Sequence, residues 1–527
     1  MTTTDTANRP MRERIITRFG ATFIASLLRT GLSFVSGVVI ARGLGASRYG
    51  DLYFLLGSFT AVSQLLEMGT ASAFYTFISR RRRGRIFFTL YLAWLAFQFA
   101  ATVLAIGLLL PPDVLKRVWV GHERSVVLLA LGASFLMTQV WGLVSQLGEA
   151  ARKTVFVQAV MVAQAAVHLA LIGLAAWRGW LSIHTVMWLL VLEYALVAAV
   201  IGPRLVSANM GRPASAESPQ SVAVEFAGYC RPLVIYSWVG FLYAFADRWL
   251  LQQFGGSVQQ GFFAVAQQFA NVSLIATTSI LKVFWKEIAE AQEHEDHERV
   301  RYLYLSVLRS LYAVGAWLSC LAIPYTRELL GWLLGAGYEA AWFCLALMLL
   351  YPIHQSVGQI SGTYLFATGE TGSYTRIGLL MMALSIPVTY VLLALPSARV
   401  PGLGLGAVGL AVKMVVLQIV GVNLQTHAIA RANGWAYSYG YQASVLGSLL
   451  GLAWASKWVS REVLGLLGAV HPIGVLALGA FLYAGSSLIV IFRTPELIGI
   501  KRNELAALLQ GMTQWLRPTA VAGSKVS

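Results

Sequence analysis

Residues 41–59 read ARGLGASRYGDLYFLLGSF. A basic, glycine-spaced turn here separates two apolar stretches, one near 15–40 and the next near 52–78. Each is long enough to cross ~30 Å of hydrocarbon. Gly45 and Gly50 bracket the turn, and Tyr49 leads the chain into the second stretch. The arrangement returns at 254–267, FGGSVQQGFFAVAQ, where Gly256 and Gly261 fall on Gly45 and Gly50 at one common offset. Each copy is a glycine turn followed by an aromatic-led helix, which predicts two related halves joined in parallel.

Working outward, further apolar runs follow in steady succession and end near 471–492, roughly fourteen in all. The expected fold is therefore an all-α, polytopic membrane protein of about 14 transmembrane helices. Composition agrees: of 527 residues, 57% are hydrophobic and 12% charged, about half the charge of a soluble domain. The runs divide into a start at 1–14, a first bundle at 15–202 and a second at 232–429, then two more helices at 430–492 and a tail at 493–527. Between the bundles, residues 203–231 contain NMGRPASAESPQS and read as a flexible linker. The tail stretch ELIGIKRNELAALLQGMTQWLR (496–517) is basic and amphipathic, suited to lying along a membrane surface.

A net charge of +16 would raise nucleic acid as a partner for a soluble chain. Here the basic residues sit between the apolar runs, with RRRRGR at 80–85 the densest group. Connections on the side of the N-terminus hold more than twice the Lys and Arg of those on the other side, which predicts cytoplasmic N- and C-termini in the inner membrane. No nucleic acid is expected. The polar, basic N-terminus lacks a small-residue cleavage site and reads as a retained cytoplasmic start. Cys230, Cys320 and Cys344 match no metal spacing and read as small buried hydrophobes; no metal or cofactor is implied. The mixed-sign stretch KEIAEAQEHEDHERVRYLY (286–304) reads as a solvated helix.

Ionisable side chains inside spans cost several kcal/mol unless they face a cavity or a partner. Arg29, mid-span in ASLLRTGLSF, is the leading candidate for a cavity cation that holds an anionic group; a structural pair with Glu67 is its alternative. Lys413 is a second candidate cation. Glu67, Glu193, Asp247 and Arg248 are candidates for coupling or gating, with buried structural acids and interfacial anchors as the alternatives. His168 is a weaker member, and Arg309 reads as snorkelling. The connections are too short for a soluble catalytic domain, and the chain has no nucleotide-binding G-x-x-x-x-G-K-[ST] stretch.

The stretch 41–59 resembles the signature of bacterial polysaccharide (O-antigen, Wzx-type) flippases. Further similar elements follow in order: DRWLLQQFGGSVQQGFFAVAQQFA (247–270), ELLGWLLGAGYEAA (328–341), YLFATGETGSYTR (364–376) and GLGLGAVGLA (402–411). That family belongs to the multidrug/oligosaccharidyl-lipid/polysaccharide exporter superfamily. The resemblance implies two six-helix lobes around a central cavity, with two extra C-terminal helices, and no enzymatic activity. It also implies an undecaprenyl pyrophosphate-linked oligosaccharide moved to the periplasmic leaflet by ion-coupled alternating access, among membrane lipids and beside polymerase and chain-length proteins. This chain carries QGFF where the family's second motif usually has a G-Y pair. A membrane polymerase or glycosyltransferase, or a drug or peptidoglycan-precursor exporter of the same superfamily, is the alternative.

Overall fold

A computed structural model describes residues 5–211, 217–272, 274–436, 440–468, 471–495 and 499. The amphipathic tail stretch expected at 496–517 lies outside them, save for Gly499. In chain order the helices are α1 (Asp5–Glu67), α2 (Thr70–Arg80), α3 (Arg85–Leu104), α4 (Pro112–Val118), α5 (Arg124–Phe135), α6 (Trp141–Ala150) and α7 (Thr154–Trp177). Then come α8 (Ile183–Asn209), α9 (Pro219–Cys230), α10 (Val234–Val272), α11 (Ile275–Glu293), α12 (His297–Ala322) and α13 (Thr326–Leu334). The last are α14 (Trp342–Met348), α15 (Tyr351–Ala367), α16 (Thr371–Leu393), α17 (Gly406–Ala432), α18 (Gly440–Leu466) and α19 (Pro472–Arg493). The only β pairing among the described residues is an isolated bridge, Arg83 with Met210. The fold is all-α, as expected.

Ten helical stretches among the described residues are long and apolar enough to cross a membrane. One of them, Thr22–Glu67, spans 46 residues and joins two of the fourteen expected runs. At 1.5 Å per residue a straight helix of that length would extend roughly 69 Å, twice the hydrocarbon thickness. The expected glycine turn is made at a single residue: Gly45 has φ 74° and ψ 167° inside otherwise helical backbone. Gly256 does the same in α10, with φ 74° and ψ 179°. A Cβ is strained in that left-handed region, so glycine is the residue that allows a one-residue turn. Large apolar side chains such as Leu28, Phe97, Leu192, Leu196 and Phe481 stand more than half exposed, the inverse of a water-soluble surface.

The chain divides into two compact units. The first comprises 1–275, 326–348 and 375–417. Within it the two turn motifs pack against each other reciprocally. A Cβ on Gly50 would collide with the Ser257 carbonyl oxygen, and one on Gly261 with the Ala46 carbonyl oxygen. Ser257 is the repeat counterpart of Ala46, so the contact has a local two-fold character.

In the same unit, most of the described residues of the segment read as a flexible linker are helical. α8 runs to Asn209, and α9 starts at Pro219 behind a capping box in which Ser218 and Ser221 bond each other's backbone amides. Arg83, only 2% exposed, clasps this region. It donates to Glu225 at 2.6 and 2.8 Å and lies 4.9 Å above the Phe87 ring. Gly84 N–H donates to Glu217. The Arg83 guanidinium holds the Glu225 carboxyl below its usual range. Around the clasp, Phe74, Phe77, Phe87, Tyr91 and Phe226 form one aromatic cluster with centroids 4.2–6.4 Å apart.

The second unit comprises 276–325, 349–374 and 418–527. Its core is built on Tyr304, Tyr312, Ile353, Val357 and Tyr364. α18 and α19 pack against α12 through Ala453, Tyr483 and Cys320, and the Trp317 indole N–H donates to Ser487 at 2.8 Å. The mixed-sign stretch breaks at 294–296, where Asp296 caps α12 and Arg299 pairs with Glu287 at 2.8 Å. All three cysteines are free and buried.

Candidate substrate cavity

The cavity is built from helical faces of the first unit. Along α1, Arg29, Ser33, Ser36 and Ile40 recur at helical spacing and share one face. Beyond the Gly45 turn, Tyr49, Leu52, Tyr53 and Leu56 supply a second wall. α7 adds Met161, Gln164, Ala165 and His168, and α8 adds Val186, Leu190 and Tyr194, again at three- and four-residue intervals. Met137 enters from a single π turn at Leu136–Val140 that offsets α5 from α6; such bulges re-aim side chains and recur at functional sites. The enclosed volume is about 560 Å³, ample for a ligand head group.

Arg29 is half-buried, and the partner it meets is the Met161 sulfur, 3.9 Å from Nη1. It makes no ion pair with Glu67 or another acid among the described residues. A guanidinium so placed keeps its donors for an incoming anion. Nearby, Glu193 is 8% exposed and engages His168 at 3.0 Å and Gln164 at 3.2 Å. The cavity thus holds one uncommitted cation and, on an adjoining wall, a carboxylate–imidazole pair. Tyr49 and Tyr53 close the site by donating to Gln268 and Gln267 of α10; the Tyr49 bond is 2.9 Å.

Lys413 does not join Arg29. Its Nζ sits 2.5 Å from Asp247, is 1% exposed and lies 4.5 Å from the Tyr243 ring centroid. Thr389 donates to the other carboxylate oxygen at 2.8 Å. The structure therefore brings two candidates of opposite sign together, Lys413 and Asp247, in a buried pair linking α10, α16 and α17. Arg248 points the other way, as adjacent helical positions must. It packs against Gly57 and faces the Tyr53 ring at 6.0 Å. Glu67 ends α1, just before Met68 (φ 45°) and Gly69 (φ 84°), apart from the other candidates. In the second unit, Arg309 lies 5.1 Å from the Tyr441 ring centroid.

Residue types alone did not single out Gln164, Tyr194, Trp141 or Met161 as cavity walls. The i, i+4 pair Gln164–His168 inside an apolar span was the available signal. At the Gly45 end, Asp51 accepts from Ser257 at 2.5 Å and Gln252 at 3.1 Å and lies 3.5 Å from His122. Burial pushes the His122 imidazole below its ordinary range, against the opposing pull of Asp51.

Membrane-length helices, repeated glycine turns and a cavity among them define a multi-pass membrane protein. The chain belongs to the family described as polysaccharide biosynthesis protein, which matches it over residues 16–285. The lipid II flippase MurJ, in an inward closed conformation, has a similar fold: TM-score 0.66, 13% identity, covering 90% of this chain and 99% of that one. An inward-facing multidrug resistance MATE family transporter of the MOP superfamily gives a TM-score of 0.58 at 12% identity, covering 78% and 96%. A MOP superfamily transporter from Pyrococcus furiosus gives 0.53 at 13%, covering 80% and 96%. No curated protein sequence matches the chain.

Proposed function

We propose that this protein is a flippase of the bacterial inner membrane, with both termini cytoplasmic. It moves an undecaprenyl pyrophosphate-linked oligosaccharide from the cytoplasmic to the periplasmic leaflet for surface polysaccharide synthesis. The observation that carries this reading is Arg29, a guanidinium with no ion-pair partner among the described residues, lining a cavity of about 560 Å³. A pyrophosphate loses hydration on entering a low-dielectric cavity, and a forked donor offsets that cost with paired, charge-assisted bonds. Ser, Thr, Tyr and Gln side chains around it suit sugar hydroxyls. Rocking of two lobes, 15–202 and 232–429, would give alternating access to this cavity, whose walls come from the first lobe. Coupling to an ion gradient falls to Glu193 with His168, the buried acid bonded to two side chains of the cavity wall, ahead of Glu67, Asp247 and Arg248. Lys413, already held by Asp247, is assigned a packing role instead of a substrate contact.

The experiment is deletion of the gene followed by analysis of lipid-linked sugars and surface polymer. Complete oligosaccharide-lipid on the cytoplasmic side with no surface polymer is the expected result. Altered polymer length, or incomplete units, would assign the protein to assembly chemistry and remove the flippase reading.

A further inference from the structure

A second cavity, of about 520 Å³, lies within the first unit between the Met68–Thr70 bend, α3, α9 and the start of α10, and shares no lining residue with the first. α9 forms one wall with Val222, Phe226 and Ala227; Tyr91 and Trp94 of α3 form another. The lining is almost wholly apolar, with two exceptions that differ in chemistry. Arg231, exposed at the end of α9, makes no ion pair among the described residues. Trp94 Nε1 is buried without a hydrogen-bond partner.

An apolar slot lined by one exposed guanidinium and one buried, unused N–H offers the three kinds of contact that an amphiphile makes. The guanidinium suits a phosphate, the indole N–H suits a carbonyl oxygen, and the slot suits a hydrocarbon chain. A glycerophospholipid supplies such a carbonyl in its acyl esters, a group that a polyprenyl phosphate lacks. Basic pockets between membrane helices hold anionic head groups for the same electrostatic reason.

We infer that this slot binds one acyl chain of an anionic glycerophospholipid of the surrounding leaflet, with its phosphate on Arg231. The site is independent of the Arg29 cavity and does not rest on the transport reading. By wedging between α9 and α3, the lipid would hold the Arg83–Glu225 clasp in place.

The test uses the full chain in nanodiscs containing photoactivatable phosphatidylglycerol or phosphatidylcholine, with cross-linked peptides mapped by mass spectrometry. Expected is preferential labelling of the 219–234 and 86–98 peptides by phosphatidylglycerol. Arg231→Gln should lower it by about fivefold, the effect of one basic residue near an anionic surface. Ala227→Trp, which fills the slot, should abolish labelling there while labelling elsewhere persists; Ala223→Leu is the milder backup if that variant fails to fold. Equal labelling by both lipids, or labelling indifferent to Ala227→Trp and Ala223→Leu, overturns the assignment. Displacement by undecaprenyl phosphate but not by phosphatidylglycerol would overturn it too, by giving the slot to a prenyl chain.

Discussion

Lys413 Nζ stands 2.5 Å from the Asp247 carboxylate, and Thr389 completes the acid's coordination from a third helix. Both charges are withdrawn from solvent, so neither is dispensable alone. Removing one partner of such a pair typically costs about 3–5 kcal/mol, because the other is left buried and uncompensated. Lys413→Met and Asp247→Asn should each lower the melting temperature and abundance of the detergent-solubilised protein sharply. The double variant should recover much of the loss. A double variant as unstable as the sum of the singles would show that the two side chains act separately.

The glycine pair gives a second, sterically defined test. At Gly261 an added methyl meets the Ala46 backbone carbonyl, which has no rotamer to move. At Gly45 the methyl meets open space and only the φ of 74° resists it. Gly261→Ala should therefore cost about 1–3 kcal/mol as overpacking, and Gly45→Ala about 1–3 kcal/mol from backbone strain alone. Thermal unfolding measures both; a Gly261→Ala variant as stable as the parent would disprove the close-packed junction.

Much of this was legible in the sequence because lipid imposes a strict code. Apolar runs of spanning length must be helices, so the all-α class followed from composition and spacing. The glycine repeat at 45/50 and 256/261 was visible as well, although its one-residue turn and reciprocal packing depend on φ angles that residue names do not state. Helix rotation was the hidden variable at the site. Arg29 and Lys413 look alike as isolated cations in apolar spans, yet one faces a cavity and the other an acid 166 positions away. Likewise, the serine- and proline-rich composition of 203–231 masked α9, whose capping box and aromatic face are set by its neighbours.

For Arg29, loss of a charge-assisted contact to pyrophosphate corresponds to about 1.5–3 kcal/mol, or roughly ten- to a hundredfold in affinity. Arg29→Ala should reduce polysaccharide export by at least tenfold at normal protein abundance, and Arg29→Lys should restore part of it, since a point charge lacks the fork. Arg178→Ala offers the control, because Arg178 stacks on Trp177 and Trp180 away from the cavity. Full export by Arg29→Ala would dismiss this residue as the head-group contact.

Two groups outside the spans set the response to acid, in separate windows. Burial lowers the His122 pKa from 6.5, so the unfolded chain binds that proton more readily and stability rises with pH across the interval. The associated stability is complete above 6.5 and is lost as pH falls through the lowered folded value. Glu225, held below 4.5 by its hydrogen bonds from Arg83, stabilises above 4.5 and fails as pH falls through its own lowered value. Its side chain is 33% exposed, so solvent screening keeps this second contribution small. Melting curves from neutral to acid pH should show an early decline that His122→Gln flattens and a later one that Glu225→Gln flattens. An early decline undiminished in His122→Gln would mean that another group, not the His122–Asp51 contact, senses the first window.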